Sequence, residues 1–142
     1  LSLLMMDLDD FKRVNDRFGH LVGDELLRGV GHALRTQVRQ GKDTAARYGG
    51  EEFAVILPST FSALPGGDLD GAVATAERIR ATIAALQPPV DDPAWTGVTV
   101  SIGVATLPVH ADTAEELVTR ADQALYWAKA RGKDTVAVYG SG

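Results

Sequence analysis

Two acidic clusters in the sequence contain residue types suited to binding a divalent cation. Residues 7–10 (DLDD) follow the apolar residues 1–6, and Glu51-Glu52 follows Gly49-Gly50. Asp7 continues a predicted buried strand, where an unpaired carboxylate is costly, so we expect a metal ion or a cationic side chain beside it. Two carboxylates that share magnesium are typical of phosphoryl and nucleotidyl transfer.

Each cluster also has a purely structural interpretation. Asp9 or Asp10 could cap the helix that follows, and a Gly-Gly-Glu-Glu segment is commonly a solvated acidic hairpin turn. Successive strand residues point to opposite faces, so Glu51 and Glu52 cannot both face Asp7. One of them can do so if the hairpin lies beside the first strand.

Four further residues have both a functional and a structural interpretation. Lys129 and Lys133 lie near the end of the last predicted helix, where cations complement the helix dipole or could clamp terminal phosphates. Asn15 and Asp24 flank a Gly-His break. Together they could read a guanine edge, because a carboxylate accepts hydrogen bonds from the N1 and N2 groups. Each could equally be a turn or cap residue.

The composition limits the classes of function. A length of 142 residues is that of one ordinary domain. The absence of cysteine excludes thiolate metal sites, thiol nucleophiles and disulfides. A net charge of -5 without a dense Lys or Arg stripe argues against nucleic-acid binding. No apolar run is long enough to cross a bilayer, so we expect no membrane contact by this domain. An acidic protein that handles phosphates would use metal ions to bridge the like charges.

The hydrophobic pattern predicts the elements that position these residues. We predict strands over residues 1–8, 96–107 and 135–139, a hairpin whose two-residue tip is Gly49-Gly50, a loop over 61–71, and helices over 9–18, 23–40, 70–86 and 113–131. The 96–107 segment alternates apolar and small polar residues, which predicts a half-buried strand. This order predicts an α/β (α+β) domain with a central mixed, largely antiparallel sheet flanked by helices.

Three segments together resemble the GGDEF domain of diguanylate cyclases. They are residues 7–24 (DLDDFKRVNDRFGHLVGD), 47–53 (RYGGEEF) and 121–133 (ADQALYWAKARGK). They occur in the family's order and the match extends over nearly the whole chain, which makes it specific. The resemblance implies a fold similar to nucleotide cyclase and polymerase palm domains. It also implies that residues 1–142 are a single catalytic domain lacking the usual N-terminal helix of the family.

The resemblance implies condensation of two GTP molecules into cyclic di-GMP with release of pyrophosphate, across a head-to-tail homodimer. It implies two Mg²⁺ ions per half-site, with Mn²⁺ as the alternative, held by Asp7, the Leu8 carbonyl and Glu51. Asp7 and Glu51 are the implied catalytic residues, with Glu51 a candidate base. The implied substrate-binding residues are Asp10, Phe11 and Lys12 through their amides, Lys129 and Lys133 at the phosphates, and Asn15 and Asp24 at guanine. The remaining signature residues are Gly49, Gly50, Glu52 and Phe53.

The resemblance further implies a bacterial signalling role in the cytoplasm. Such domains usually belong to a longer protein with a regulatory sensor or receiver domain, and that parent protein can be membrane-anchored. Two alternatives stay open. The chain could bind GTP as a catalytically silent signalling module, or it could be another two-metal enzyme that makes a cyclic mononucleotide.

Overall fold

The computed structural model describes residues 1–59 and 67–140. These residues form five strands and four helices, in the order β1 (Ser2–Leu8), α1 (Phe11–Phe18), α2 (His20–Gln37), β2 (Thr44–Arg47), β3 (Glu52–Leu57), α3 (Asp68–Ala84), β4 (Val100–Thr106), α4 (Ala114–Ala130) and β5 (Val136–Val138). The predicted loop over 61–71 lies outside the described residues up to residue 66. Its last residues belong to α3, which begins at Asp68.

The five strands form one sheet in the order β2-β3-β1-β4-β5. Every neighbouring pair is antiparallel except β4 and β5, which run parallel. The central strand β1 is apolar along nearly its whole length because it is covered on both faces. Leu4 and Met6 join the cluster formed with α2 and α3, whereas Leu3 and Met5 join the cluster formed with α4. The predicted mixed, largely antiparallel sheet flanked by helices is confirmed.

Strand β4 differs from its prediction in length and in burial. It begins at Val100 rather than at residue 96, because its neighbour β1 ends at Leu8, the partner of Val100. All seven of its residues are buried, so it is not a half-buried strand. Helices cover both sheet faces, and Gly103 of β4 lies against the backbone of α4 instead of facing water.

The break before α2 is shorter than predicted. The second helix was expected from residue 23, but α2 begins at His20. A single residue makes the break, because Gly19 adopts a positive φ of 92° that glycine tolerates without steric cost. The Gly23 amide then donates to the Gly19 carbonyl at 3.2 Å.

The hairpin turn is longer than the predicted two-residue tip. Gly49 and Gly50 are not among the positive-φ residues, and the amides of Tyr48 and Gly49 both donate to the Glu52 carbonyl, at 2.8 and 3.2 Å. The Arg47 side chain closes this wider turn, since its Nη2 donates to the Gly50 carbonyl at 2.6 Å. The tip therefore gets its shape from carbonyl contacts rather than from left-handed glycines.

The buried carboxylate of Asp9 joins the segments around the end of β1. It is 5% exposed and accepts hydrogen bonds from Thr99 Oγ1 at 2.7 Å and Ser101 Oγ at 2.7 Å. Lys129 Nζ on α4 donates at 2.9 Å and the Asp134 amide at 3.0 Å. Burial alone would raise the pKa of Asp9, but these donors outweigh it and lower the pKa. The carboxylate therefore stays ionised and connects β1, β4, α4 and the loop before β5.

We expect Gly103→Ala to destabilise the fold by at least about 2 kcal/mol, because there is no room for a side chain. A Cβ at this β4 position would collide with the backbone of Ala121 and Leu125 in α4. Gly29→Ala in α2 is the control, since a Cβ there would make an ordinary 3.8 Å contact with Leu86. The free energy of unfolding of that control should rise by about 0.5–1 kcal/mol from helix propensity. Urea unfolding measures the stability of both variants, and equal unfolding midpoints for the two would contradict the close packing of α4 on β4.

We expect Asp9→Asn to cost about 2–4 kcal/mol at pH 7, because the amide leaves Lys129 and the other donors poorly paired. The pKa of Asp9 is lowered in the fold from 3.8, so its stabilisation is present above that value and is lost as the pH falls below it. The difference in unfolding free energy between wild type and Asp9→Asn should therefore shrink in acid. Asp16→Asn is the matched control, since the contact described for Asp16 is an exposed 3.4 Å pair with Lys12. A difference in unfolding free energy that grew as the pH fell would contradict the assignment of Asp9 as an ionised carboxylate stabilised by its donors.

Candidate functional site

Three segments distant in sequence meet at the end of β1. The antiparallel register sets Asp7 directly opposite Glu52 at the start of β3, and the Leu8 amide donates to the Glu51 carbonyl at 3.2 Å. The hairpin therefore lies beside the first strand, as the metal-site interpretation requires. Lys129, near the end of α4, reaches the same point, with Nζ 3.6 Å from Asp7 Oδ2.

Asp7 is in an unfavourable electrostatic environment for an ionised carboxylate. Burial raises its pKa to about 6; the nearby Lys129 opposes that rise, while repulsion from Glu51, Glu52 and Asp9 adds to it. No described group donates a hydrogen bond to its buried Oδ1 atom. One lysine thus compensates only part of the negative charge, and a further cation would stabilise the ionised form.

The donors at this point fit a hard divalent cation. Glu52 is the register partner of Asp7, whereas Glu51 precedes β3, so strand alternation does not direct its side chain away, and its charge acts on Asp7. The carboxylates of Asp7 and Glu51 and the Leu8 carbonyl would offer the oxygen ligands that Mg²⁺ prefers. Among residues 1–59 and 67–140, no three His, Asp or Glu side chains are arranged to hold a metal by themselves. Mg²⁺ commonly uses one or two carboxylates and keeps the rest of its shell for substrate phosphate and water.

The loop between β1 and α1 presents the open end of a helix. Asp10 has a left-handed backbone, with φ 56° and ψ 32°, and no side chain caps the first turn of α1. The alternative in which Asp9 or Asp10 caps this helix is therefore wrong. The first amides of α1, which include those of Phe11 and Lys12, have no partners within the helix, and the dipole favours an anion there.

Both predicted lysines reach this loop. Lys129 Nζ contacts Asp9, and Lys133 Nζ contacts Asp10 Oδ1 at 2.8 Å. Lys133 lies beyond the end of α4 in a left-handed conformation, with φ 67°, and its amide donates to the Ala128 carbonyl at 3.1 Å. The pair therefore approaches from a helix and from the turn after it, rather than from one helix face.

Asn15 and Asp24 lie within α1 and α2, so their alternative role as turn or cap residues is wrong. The Asn15 side chain lies directly against Gly23, where any Cβ would collide with its Oδ1 atom. Asp24 lines a cavity of about 620 Å³ that also contacts Leu27 and Phe53. Asn15 is not among the residues lining that cavity, although α1 and α2 pack side by side.

Some residues at the site had no role assigned from sequence. Arg47 lines the same cavity as Asp24, and its position just before the Gly-Gly pair was the available signal. The sequence allows two interpretations of Asp9, cation ligand and helix cap, and neither includes its role in holding Lys129 in place. Thr99 and Ser101 are two positions apart in a predicted strand, so their hydroxyl groups lie on the same face and can reach a common partner.

Known proteins are similar to this chain over nearly its whole length. A family model described as "Diguanylate cyclase, GGDEF domain" matches residues 1–135. Diguanylate cyclase A of Treponema denticola is 41% identical over 138 residues, which are 97% of this chain and 35% of the relative. The chain thus spans about a third of that relative's length. No helix among the described residues has the length and apolar character needed to cross a membrane.

Solved structures agree with the sequence relatives. The GGDEF domain of TpbB from Pseudomonas aeruginosa superposes with a TM-score of 0.86 at 34% identity, covering 99% of this chain and 83% of that one. The active GGEEF domain of a diguanylate cyclase from Vibrio cholerae superposes with a TM-score of 0.82 at 28% identity, with the same coverages of 99% and 83%. From the family match and these similarities, the chain belongs to the diguanylate cyclase GGDEF-domain family.

Proposed function

We propose that residues 1–142 act as a single diguanylate cyclase domain that condenses two GTP molecules into cyclic di-GMP. The observation that carries this proposal is the Asp7 carboxylate, which has one buried oxygen without a donor and a pKa raised to about 6 by burial. It lies where the Gly-Gly-Glu-Glu hairpin, the two lysines and the open end of α1 converge. Family membership supports the reaction, and the Vibrio cholerae relative with a GGEEF signature is described as active.

Each part of the substrate has a proposed set of contacts. Asp7, the Leu8 carbonyl and Glu51 would hold two Mg²⁺ ions, or Mn²⁺, which would neutralise charge on the phosphates. The amides of Asp10, Phe11 and Lys12 bind the β and γ phosphates, and the ammonium groups of Lys129 and Lys133 complete that clamp. Asn15 and Asp24 bind the guanine edge beside the cavity of about 620 Å³ that Asp24 lines.

The proposed reaction is a pair of nucleotidyl transfers. The 3′-hydroxyl of one GTP attacks the α-phosphorus of the other, pyrophosphate leaves, and Glu51 takes the hydroxyl proton. Repeating the step with the roles exchanged closes the ring and releases the second pyrophosphate. One domain binds one GTP, so we propose a head-to-tail homodimer as the active form.

The setting proposed for this domain follows from its substrate and its relatives. GTP is a cytoplasmic nucleotide, so we place the domain in the cytoplasm of a bacterial cell. The relative from Treponema denticola is about three times as long as the matched segment. We therefore propose that a sensor or receiver domain of a longer parent protein brings two copies together.

The direct test is incubation of concentrated protein with GTP and Mg²⁺, with products identified by mass spectrometry across a protein dilution series. We expect cyclic di-GMP whose production per molecule of protein rises with protein concentration, because two domains must meet. A cyclic mononucleotide would instead indicate a different nucleotide cyclase. GTP binding without any product at high protein concentration would indicate a silent binding module.

We expect Asp7→Asn and Glu51→Gln each to lower the rate of cyclic di-GMP formation by at least about 100-fold, because each removes a charged ligand from the metal position. Circular dichroism should show that both variants keep the fold. Asp16→Asn removes an acidic group on the exposed face of α1 and serves as the charge-matched control with near wild-type rate. Retained activity in either of the first two variants would contradict the metal assignment.

We expect Asp24→Ala to reduce the preference for GTP over ATP by about 10- to 100-fold, because the base donors lose a charged acceptor. Competition binding of the two nucleotides in the presence of Mg²⁺ measures this ratio. The control is Glu25→Ala at the next position, whose carboxylate pairs with Arg28 at 2.5 Å. An unchanged ratio in Asp24→Ala would remove Asp24 from the guanine site.

A further inference from the structure

The Lys129 ammonium group is surrounded by the oxygen atoms at the end of β1. Its Nζ lies 2.9 Å from Asp9 Oδ1, 3.5 Å from the Leu8 carbonyl oxygen and 3.6 Å from Asp7 Oδ2. The side chain is only 25% exposed. Lys129 thus occupies a partly buried position defined by two carboxylates and one carbonyl.

Two of those three oxygen-bearing groups, Asp7 and the Leu8 carbonyl, are ligands proposed above for the metal. We propose that Lys129 is a built-in cation that holds the metal position in the metal-free protein, and that a divalent ion must displace it in order to bind. This inference rests on the proposed function. It assigns Lys129 a role before any nucleotide arrives, in addition to its proposed contact with phosphate.

Distances and charges imply that a divalent ion and the Lys129 ammonium group compete for the same position. A Mg²⁺ ion binds its oxygen ligands at about 2.0–2.1 Å. An ion bound to the Asp7 carboxylate and the Leu8 carbonyl at such distances would lie within a few ångströms of an ammonium group that contacts the other oxygen of that carboxylate, Oδ2, and the same carbonyl. Repulsion between the two cations is strong at that separation in a partly buried site. The ammonium group must therefore leave when the ion enters.

The surrounding contacts keep Asp9 hydrogen-bonded when Lys129 leaves. Asp9 would keep three donors, because Thr99, Ser101 and the Asp134 amide bond its carboxylate independently of the lysine. Asp7 would exchange the ammonium for a doubly charged ion. The long lysine side chain lies beside the open end of α1, so the displaced ammonium is available to phosphate there. The site thus releases a phosphate-binding cation when metal enters.

Lys133 provides a matched comparison on the same loop. Its Nζ contacts Asp10 Oδ1 at 2.8 Å, and none of its described contacts is to Asp7 or Leu8. Both lysines are expected at the phosphates and both carry one positive charge. Only Lys129 occupies the metal position, so the two variants separate displacement from a general loss of positive charge.

The test is Mn²⁺ binding to nucleotide-free protein, followed by the electron paramagnetic resonance signal of free Mn²⁺. We expect Lys129→Met to bind Mn²⁺ about tenfold more tightly than wild type, and Lys133→Met to change the affinity by less than about threefold. Equal or weaker binding by Lys129→Met, including no detectable binding, would overturn the inference. Equal tightening in both variants would also overturn it, because the effect would then come from net charge.

Asp7→Asn distinguishes failure of this inference from failure of the proposed function. If Asp7→Asn abolishes Mn²⁺ binding while Lys129→Met does not tighten it, only the displacement role of Lys129 fails. If Asp7→Asn leaves Mn²⁺ binding unchanged, the metal lies elsewhere, and both the inference and the metal assignment fail.

A second measurement needs no variant at Lys129 except for signal assignment, so it does not depend on the folding of Lys129→Met. In nitrogen-detected or ¹⁵N-correlated NMR spectra of lysine ammonium groups, Mg²⁺ without nucleotide should shift the Lys129 signal and leave the Lys133 signal in place. Lys129→Arg, which keeps the charge, identifies the resonance. A Lys129 signal that does not respond to saturating Mg²⁺ would overturn the inference.

Discussion

The buried carboxylate of Asp9 is the constraint on which the rest of the site depends. A charged group that is 5% exposed must be fully paired, and Asp9 finds its donors on β4, on α4 and in the loop before β5. Satisfying one carboxylate therefore fixes three segments around the end of β1. The positions of Lys129 and of the turn that carries Lys133 both follow from that pairing.

Asp7 and Asp9 are two residues apart on the same strand end, yet their environments have opposite effects. Hydrogen-bond donors lower the pKa of Asp9 despite its burial, whereas burial and neighbouring carboxylates raise the pKa of Asp7 to about 6. The charge of Asp9 is neutralised within the protein, whereas the charge of Asp7 is not. This contrast separates a residue that holds the structure from one that is available to bind a cation.

The sequence predicted most elements because their signals are local. Helical spacing of apolar residues and the apolar run of β1 depend only on near neighbours, and both predictions are confirmed. The extent and burial of β4 could not be predicted, because they depend on where β1 ends and on which helices cover each face. The hairpin itself is confirmed. Its predicted two-residue tip was wrong for a similar reason, since contacts of Arg47 and Glu52 shape the turn instead of glycine φ angles.

The site residues also differ in whether their roles can be identified from local sequence. Asp7 could be identified from sequence because an acid at the end of an apolar strand conflicts with its surroundings. The structural role of Asp9 could not, because its partners Thr99, Ser101 and Asp134 lie at least 90 positions along the chain. Asn15 and Asp24 were ambiguous because a helix break suggested turn residues. In the folded chain the break is one residue, and both side chains belong to helices.

Acidic side chains outnumber basic ones around the site. Seven side chains define it: the carboxylates of Asp7, Asp9, Asp10, Glu51 and Glu52, and the ammonium groups of Lys129 and Lys133. Both lysines already pair with acids of the loop, so neither is available to a polyanion without a compensating change. A triphosphate adds further negative charge and would be repelled by this set alone. At the metal position proposed for Asp7, a divalent cation would reduce the excess negative charge and compete for Asp7 and the Leu8 carbonyl, which Lys129 also contacts. On that proposal, phosphate binding and metal binding at this strand end are one linked electrostatic event.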